Sequence, residues 1–458
     1  MTVLVLLSVL GLITLFSGFS SDKKLPIYLG IVGLAVVLGF NFMGWDLAHN
    51  AYNMVVADNY SIAFTTIMTF STIFILFLLP DFSEKVEVPL AEITSLLLFT
   101  LFGAYLMVSY SNLVMLFIGI EILSISLYIL AGSKKSNTAS NEAAMKYFLM
   151  GSFATGFLLF GITLIYGATG SFDLGTIKTF VTDHAADTST LLLVGVILML
   201  IGLAFKISAA PFHFWAPDVY QGSPSLVTGF MATVVKTAGI AAFFKLFYTC
   251  FIPLADSWRT TIWVMAALTM TIGNITALYQ TTFKRMLAYS SIAHAGYLLL
   301  ALLALNNLSA TAILYYATAY SLATIASFAV LITVHQAKQS HSLDSFKGLA
   351  KNNPFLAVMA TIALCSLAGI PPLAGFFAKF YLFSAVIKEH FYWIVVIAVL
   401  NSCVGIFYYF RIIVNMFSPT AEQETIEVSS LYKMVIFVCI ILSLVLGLLP
   451  DLILRCNL

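Results

Sequence analysis

The sequence predicts an all-α polytopic membrane protein of about fourteen transmembrane helices, with the seventh and twelfth discontinuous and two five-helix repeats in opposite orientation. Three observations predict it. Of 458 residues, 61% are hydrophobic and 9% are charged, whereas soluble chains carry about 25% charge. The apolar residues gather into runs close to the ~20 that span a ~30 Å hydrocarbon core. Two of those runs are broken by proline with a lysine nearby.

The first run, 2–19, has neither a basic leader nor a small-residue cleavage signature, so it reads as a retained helix and not a signal peptide. Runs at 26–42, 61–79, 89–109 and 111–131 follow, the last with Glu121 near its middle. The sixth, 143–168, begins beside Glu142 and Lys146, an i, i+4 pair of the kind worth about 0.2–0.5 kcal/mol on a helix surface. The seventh, 190–220, is interrupted around SAAPF, where Pro211 follows Lys206. Proline removes an amide donor and clashes with the preceding turn, and freed backbone at membrane depth is tolerated only where protein or water satisfies it.

The eighth run, 224–249, holds Lys236 far from either end and Lys245 near the outer one, where snorkelling is the expectation. Runs nine to eleven are 261–280, 285–305 and 308–336, the tenth carrying His294 among Ser290, Ser291 and Tyr297. A buried histidine is commonly structural, yet its pKa lies near enough to neutrality to relay protons, and His294 would fill the gap between Lys236 and Lys379. The twelfth, 354–386, breaks at Pro371 and Pro372, with Lys379 just beyond. Runs at 391–417 and 431–450 complete the set, and the connections after the sixth and before the fourteenth are the most polar.

The two breaks fall in the fourth helix of successive five-helix blocks. A repeat with an odd number of helices must insert with opposite orientation in its second copy, the pattern of inverted-repeat transporters whose sites lie at discontinuous helices. The expected divisions are therefore 1–88 for helices one to three, 89–249 and 250–417 for the repeats, and 418–458 for the last helix. Lysine and arginine concentrate in odd-numbered connections, including Lys23, Lys24, Lys85, Lys134, Lys135, Lys284 and Arg285. That bias places both termini outside the cytoplasm.

Four charges remain near helix centres: Glu121, Lys206, Lys236 and Lys379. Each costs roughly 2.5–3.5 kcal/mol there, on the order of 10 kcal/mol together unless paired or hydrated. Other chemistries find no equipment. The five cysteines form no C-x-x-C pair, and phosphate loops, zinc-protease and serine-nucleophile motifs are missing. A formal net charge of +1 gives no reason to expect nucleic acid.

The stretches KISAAPFHFWAPDVYQGSPSLVTGFMATVVK, FKRMLAYSSIAHAGYLL and LAGIPPLAGFFAKFYLF closely resemble the antiporter-like subunits of respiratory complex I, over nearly the whole chain. By that resemblance Glu121 matches a glutamate paired with Lys206, Lys236 a central lysine, His294 a hydrated axial histidine and Lys379 a terminal relay residue. Lysine at 379, with no long lateral helix after the last run, makes it most similar to the bacterial N-type subunits. The resemblance implies proton translocation in a bacterial inner membrane, driven by quinone reduction elsewhere in an NADH-quinone oxidoreductase. It implies other membrane-arm subunits as partners in a hetero-oligomer. NADH, FMN, iron–sulfur clusters and quinone are expected in those partners, with no cofactor, metal or redox centre in this chain. Protons would pass from the cytoplasm to Lys206 and Lys236, through His294, and outward from Lys379. Glu121 would act as the switch on Lys206, with Glu142 and Lys146 as candidate inlet groups. Two other readings stay open: a subunit of a multi-subunit sodium/proton antiporter or membrane-bound hydrogenase, and a passive membrane scaffold.

Overall fold

In the computed structural model, which describes residues 1–84, 89–419 and 426–456, the chain is a helical membrane bundle. Lys85 and part of the polar connection before the last long helix lie outside those residues. The elements begin with α1 (Thr2–Phe16) and α2 (Leu25–Met43), then a small antiparallel hairpin of β1 (His49–Ala51) and β2 (Val55–Ala57). Next come α3 (Asn59–Glu84), α4 (Leu90–Ser109), α5 (Leu113–Ala131), α6 (Thr138–Thr169) and α7 (Leu174–Asp183). The first break separates α8 (Thr190–Lys206) from α9 (Trp215–Gly222). Then α10 (Ser225–Phe230) runs through a π-helical turn, Met231–Val235, into α11 (Lys236–Cys250). After α12 (Ala255–Leu278), α13 (Phe283–Ala304), α14 (Ser309–Lys338) and the short α15 (Leu349–Asn352), the second break separates α16 (Pro354–Ala368) from α17 (Ala374–Lys388). The last elements are α18 (Tyr392–Phe417), α19 (Ser430–Leu448) and α20 (Asp451–Leu454).

Among the described residues, 12 segments are long and apolar enough to cross a membrane. The two shorter apolar helices, α8 and α16, are those that precede the breaks. Helices α13 and α14 and the α10–α11 segment are enclosed almost completely, whereas α1 turns Val5, Val9, Leu12 and Phe16 outward. Because lipid is as apolar as leucine, the enclosed helices differ from the outer ones by their polar residues, not by greater hydrophobicity.

Two connections hold structure that the apolar runs do not predict. The polar connection after the sixth run contains α7, capped by the Asp173 side chain and burying Leu174, Ile177 and Val181. Those apolar positions recur at helical spacing, but the surrounding polar residues masked the pattern. The connection before α3 contains the hairpin, too short to show a strand period.

An internal correspondence joins the two halves. Leu113 N–H bonds Phe172 O at 2.9 Å and Leu174 N–H bonds Ser111 O at 3.0 Å, tying the start of α5 to the end of α6. In the same pattern Phe283 N–H bonds His341 O at 2.8 Å and Leu343 N–H bonds Thr281 O at 3.0 Å, tying the start of α13 to the end of α14. Both α6 and α14 end in a left-handed residue, Gly170 and Gln339, whose N–H closes on Tyr166 O and His335 O respectively.

Candidate functional site

Lys206 is the last residue of α8, immediately before the chain leaves helical geometry. The backbone groups freed there are taken up locally: Phe205 O accepts from Ser208 N–H and from the Trp215 indole, and Ala210 N–H donates to Thr269 Oγ1 on α12. The lysine amine instead crosses to α5, where it donates to Ser124 Oγ at 2.6 Å. This corrects the expected Glu121–Lys206 pair. No ion pair joins those two among the described residues, and Glu121 Oε1 is buried without a partner. Ser124 lies one turn beyond Glu121, so both groups face the lysine's end of the break and the hydroxyl is the one it reaches.

Lys236, 3% exposed, follows the π-helical turn directly. Such turns appear frequently at functional sites because they re-aim side chains inside an otherwise regular helix. Its amine donates to both the carbonyl and the hydroxyl of Ser291 on α13, and Tyr320 OH donates to the same hydroxyl at 2.9 Å. Gly239, one turn later on α11, faces Ile207 and the Lys206 stem; a Cβ there would lie 2.9 Å from Ile207 Cγ2. The two lysines thus stand on directly packed elements.

His294 continues the line along α13. Its Nδ1 pairs with Tyr316 OH at 2.6 Å and its Nε2 with Tyr409 OH at 3.2 Å, while Tyr409 also bonds Ser290. A cavity of about 10 Å³ borders His294, Tyr316, Tyr320, Ser366 and Ala378, near the room that one water needs. It opens the space between His294 and the helix that carries Lys379.

At the second break the lysine uses the freed backbone itself. The last carbonyls of a helix lack intrahelical partners, and Lys379 donates to Ala368 O, at the end of α16, at 2.8 Å. It also donates to Ser402 Oγ at 2.8 Å and lies over the Tyr297 ring. Gly369, at φ +87°, makes the approach possible: a Cβ would stand 3.0 Å from Lys379 Cδ.

These observations place Lys206, Lys236, His294 and Lys379 along one buried polar line through the bundle, with both proline breaks beside it. Across residues 111–405 the sequence matches the family described as NADH:quinone oxidoreductase/Mrp antiporter, transmembrane. The chain belongs to that family. It is 43% identical over 457 residues to NADH-quinone oxidoreductase subunit N of Flavobacterium psychrophilum, covering 99% of this chain and 100% of the relative. Its fold matches a chain of respiratory complex I from Thermus thermophilus with TM-score 0.86 and 34% identity, over 99% and 98% of the two chains. The Mrp complex from Dietzia sp. gives TM-score 0.86 at 20% identity, over 100% and 96%, which shows a shared fold.

In this antiporter-family chain the remaining charges are placed differently from expectation. Glu142 and Lys146 do pair, at 2.7 Å, but within a larger cluster: Lys146 also meets Asp218 at 2.8 Å, and Asp218 meets Arg285 at 3.1 Å. Lys284, expected in a connection, is 2% exposed and donates to the carbonyls of Gln221, in the last turn of α9, and of Ser223, just past it. Lys245 folds back onto Val108 O at 3.0 Å instead of snorkelling to water. Sequence reading missed Ser124, Asp218, Tyr316, Tyr320, Ser402 and Tyr409. Ser124 had a signal, since it shares a helix face with Glu121; the tyrosines come from distant helices and had none.

Proposed function

We propose that the chain is a proton-translocating subunit of the membrane arm of an NADH-quinone oxidoreductase, in the place that subunit N takes. The observation that carries this reading is the buried line of Lys206, Lys236, His294 and Lys379, each hydrogen-bonded to hydroxyls or carbonyls and none held in a tight ion pair. Buried lysines disposed in this way hold and release protons at less cost than lysines fixed by a carboxylate.

Protons would pass from the cytoplasm to Lys206 and Lys236, through Ser291, His294 and a water-sized cavity, and outward from Lys379. Glu121, with one oxygen unpartnered, would set the charge state of Lys206 by moving towards or away from it, with Ser124 as the holding partner. Glu142 and Lys146, together with Asp218 and Arg285, would form a cytoplasmic rim. The chain would sit in a bacterial inner membrane with both termini outside, and helices four to eight and nine to thirteen would be inverted repeats. The matching bridges at the starts of α5 and α13 support that arrangement. The oxidation of NADH and reduction of quinone would take place on cofactors held by partner subunits.

The test is a native gel of gently solubilised membranes containing a tagged chain, stained for NADH dehydrogenase activity. The tag is expected in a large NADH-oxidising band. Migration in a smaller assembly without that activity would contradict the proposal in favour of a sodium/proton antiporter.

A further inference from the structure

We infer that a second, buried vestibule, formed by His335, His341 and Lys284 with Ser133, Ser223 and Thr282, is a water-filled mouth through which protons reach Lys236. The inference rests on the proton-translocating reading and goes beyond the rim at Glu142 and Lys146.

The groups come from four connections that meet at one end of the bundle. The His335 and His341 rings stack with centroids 3.8 Å apart and planes at 15°. Phe283 N–H bonds His341 O, and Lys284 on the same turn reaches Ser223 O. Four side-chain atoms here are buried with no protein partner among the described residues, namely both histidine Nδ1 atoms, Ser223 Oγ and Thr282 Oγ1, and so is Ser133 Oγ, next to Lys134, whose charge reaches His341 and Lys284. An unpaired buried polar atom costs about 1–3 kcal/mol, and the usual remedy is internal water bonded to several such groups at once. The rim cluster is the opposite case, since its four charges pair with one another.

The internal correspondence of the two halves shows that the histidines are not required for the stack. At the equivalent place in the first half, the end of α6, Tyr166 and Phe172 stack with centroids 4.3 Å apart and planes at 17°. Plain aromatic rings therefore serve the same backbone geometry. What imidazole adds is a ring nitrogen able to accept and pass on a proton. His341 is pushed down to about 3 by burial, and then by Lys284, His335 and Lys134. It is neutral at cytoplasmic pH and does not trap the proton it hands on.

The route inward runs along α13. Lys284 and Ser291 lie on one face of that helix two turns apart, about 11 Å, and Ser291 receives the Lys236 amine. Between them stand Leu287 and Ala288, both buried. Phe328 of α14 packs on Gly229 of α10, between Ser223 and Lys236 along the chain. The vestibule thus ends at a short apolar collar before the lysine.

The experiment uses the intact complex in inside-out membrane vesicles. The double variant His335→Tyr, His341→Phe carries the pair that the chain already stacks at its other end. NADH-driven proton uptake is expected to fall roughly tenfold, a modest share of what a positioned proton-transfer group supplies, with the native NADH-oxidising band unchanged in amount. Uptake at the parent rate in an assembled complex would overturn the inference. A second variant, Ser133→Cys, reads hydration directly. A small, charged, membrane-impermeant methanethiosulfonate added to the vesicles is expected to label it above the parent level, and absence of labelling would equally overturn the vestibule. Lys236→Ala in the same vesicles separates the two levels of the account. If it also pumps at the parent rate, the proton-translocating reading fails; if only the double variant does, the vestibule alone fails.

Discussion

Lys236→Ala is expected to give a complex that assembles in normal amount and loses at least about tenfold in NADH-driven proton pumping and coupled quinone reduction. The assembly part follows from two opposed terms. Alanine removes the donor to Ser291 O and Oγ; the hydroxyl keeps its bond from Tyr320, and a buried acceptor left unpaired costs about 1–3 kcal/mol. Against that, the substitution relieves a cation at a helix centre, whose insertion costs roughly 2.5–3.5 kcal/mol. The terms offset, so stability changes little. The activity part has no offset, because a positioned proton-transfer group contributes about 10²–10⁴ in rate, and Tyr320, which also reaches Ser291 Oγ, is a neutral phenol that does not replace an amine able to bind and release a proton. Quantities to compare are the native-gel band, the acidification rate in vesicles and the quinone reduction rate. A fully assembled variant with parent rates would overturn the proton-translocating reading, which is carried by the line through Lys236.

Gly375→Val should act in the opposite way, by preventing assembly. A Cβ at Gly375 would lie 1.7 Å from Ser366 O, so α16 and α17 would have to separate at the break that carries Lys379. Across the same break Gly447 of α19 meets Pro372 O, at 2.0 Å from where its Cβ would be. The obstruction is backbone on both sides and cannot yield as a flexible side chain does. Overpacking costs about 1–3 kcal/mol even where side chains can shift. The chain is expected to be lost from the native complex, as read by immunoblot of the gel. Gly39→Val, where nothing lies within 4 Å, should assemble normally as the control. Equal assembly of the two variants would show that the second break is looser than its packing indicates.

The elements legible in the sequence were those whose signal is local. Long apolar runs gave the membrane helices to within several residues, and Pro211 and the Pro371–Pro372 pair located both breaks, because a missing amide and a ring clash act on the adjacent turn. The hydrocarbon penalty likewise singled out Glu121, Lys206, Lys236 and Lys379. Partner choice was not legible. Lys206 chooses Ser124 over Glu121 because of how α8 ends relative to α5, and Lys284 is buried because α9 ends beside it. The π-helical turn before Lys236 leaves no mark in the residue pattern MATVV. The stack of His335 on His341 depends on a left-handed turn at Gln339, a residue that composition alone does not assign to that conformation. Its equivalence to Tyr166 and Phe172 shows only when the hydrogen bonds of the two halves are compared.

Proton transfer along the buried line requires Lys236 to release a proton, not merely to carry charge. Lys236→Arg tests this most directly, since guanidinium keeps the positive charge and hydrogen-bond donors but does not deprotonate in proteins. The measurement is NADH-driven acidification of inside-out vesicles containing the assembled variant complex. Pumping is expected to be lost as completely as in Lys236→Ala. Pumping at the parent rate would contradict that requirement and would leave Lys236 as a fixed charge beside some other path.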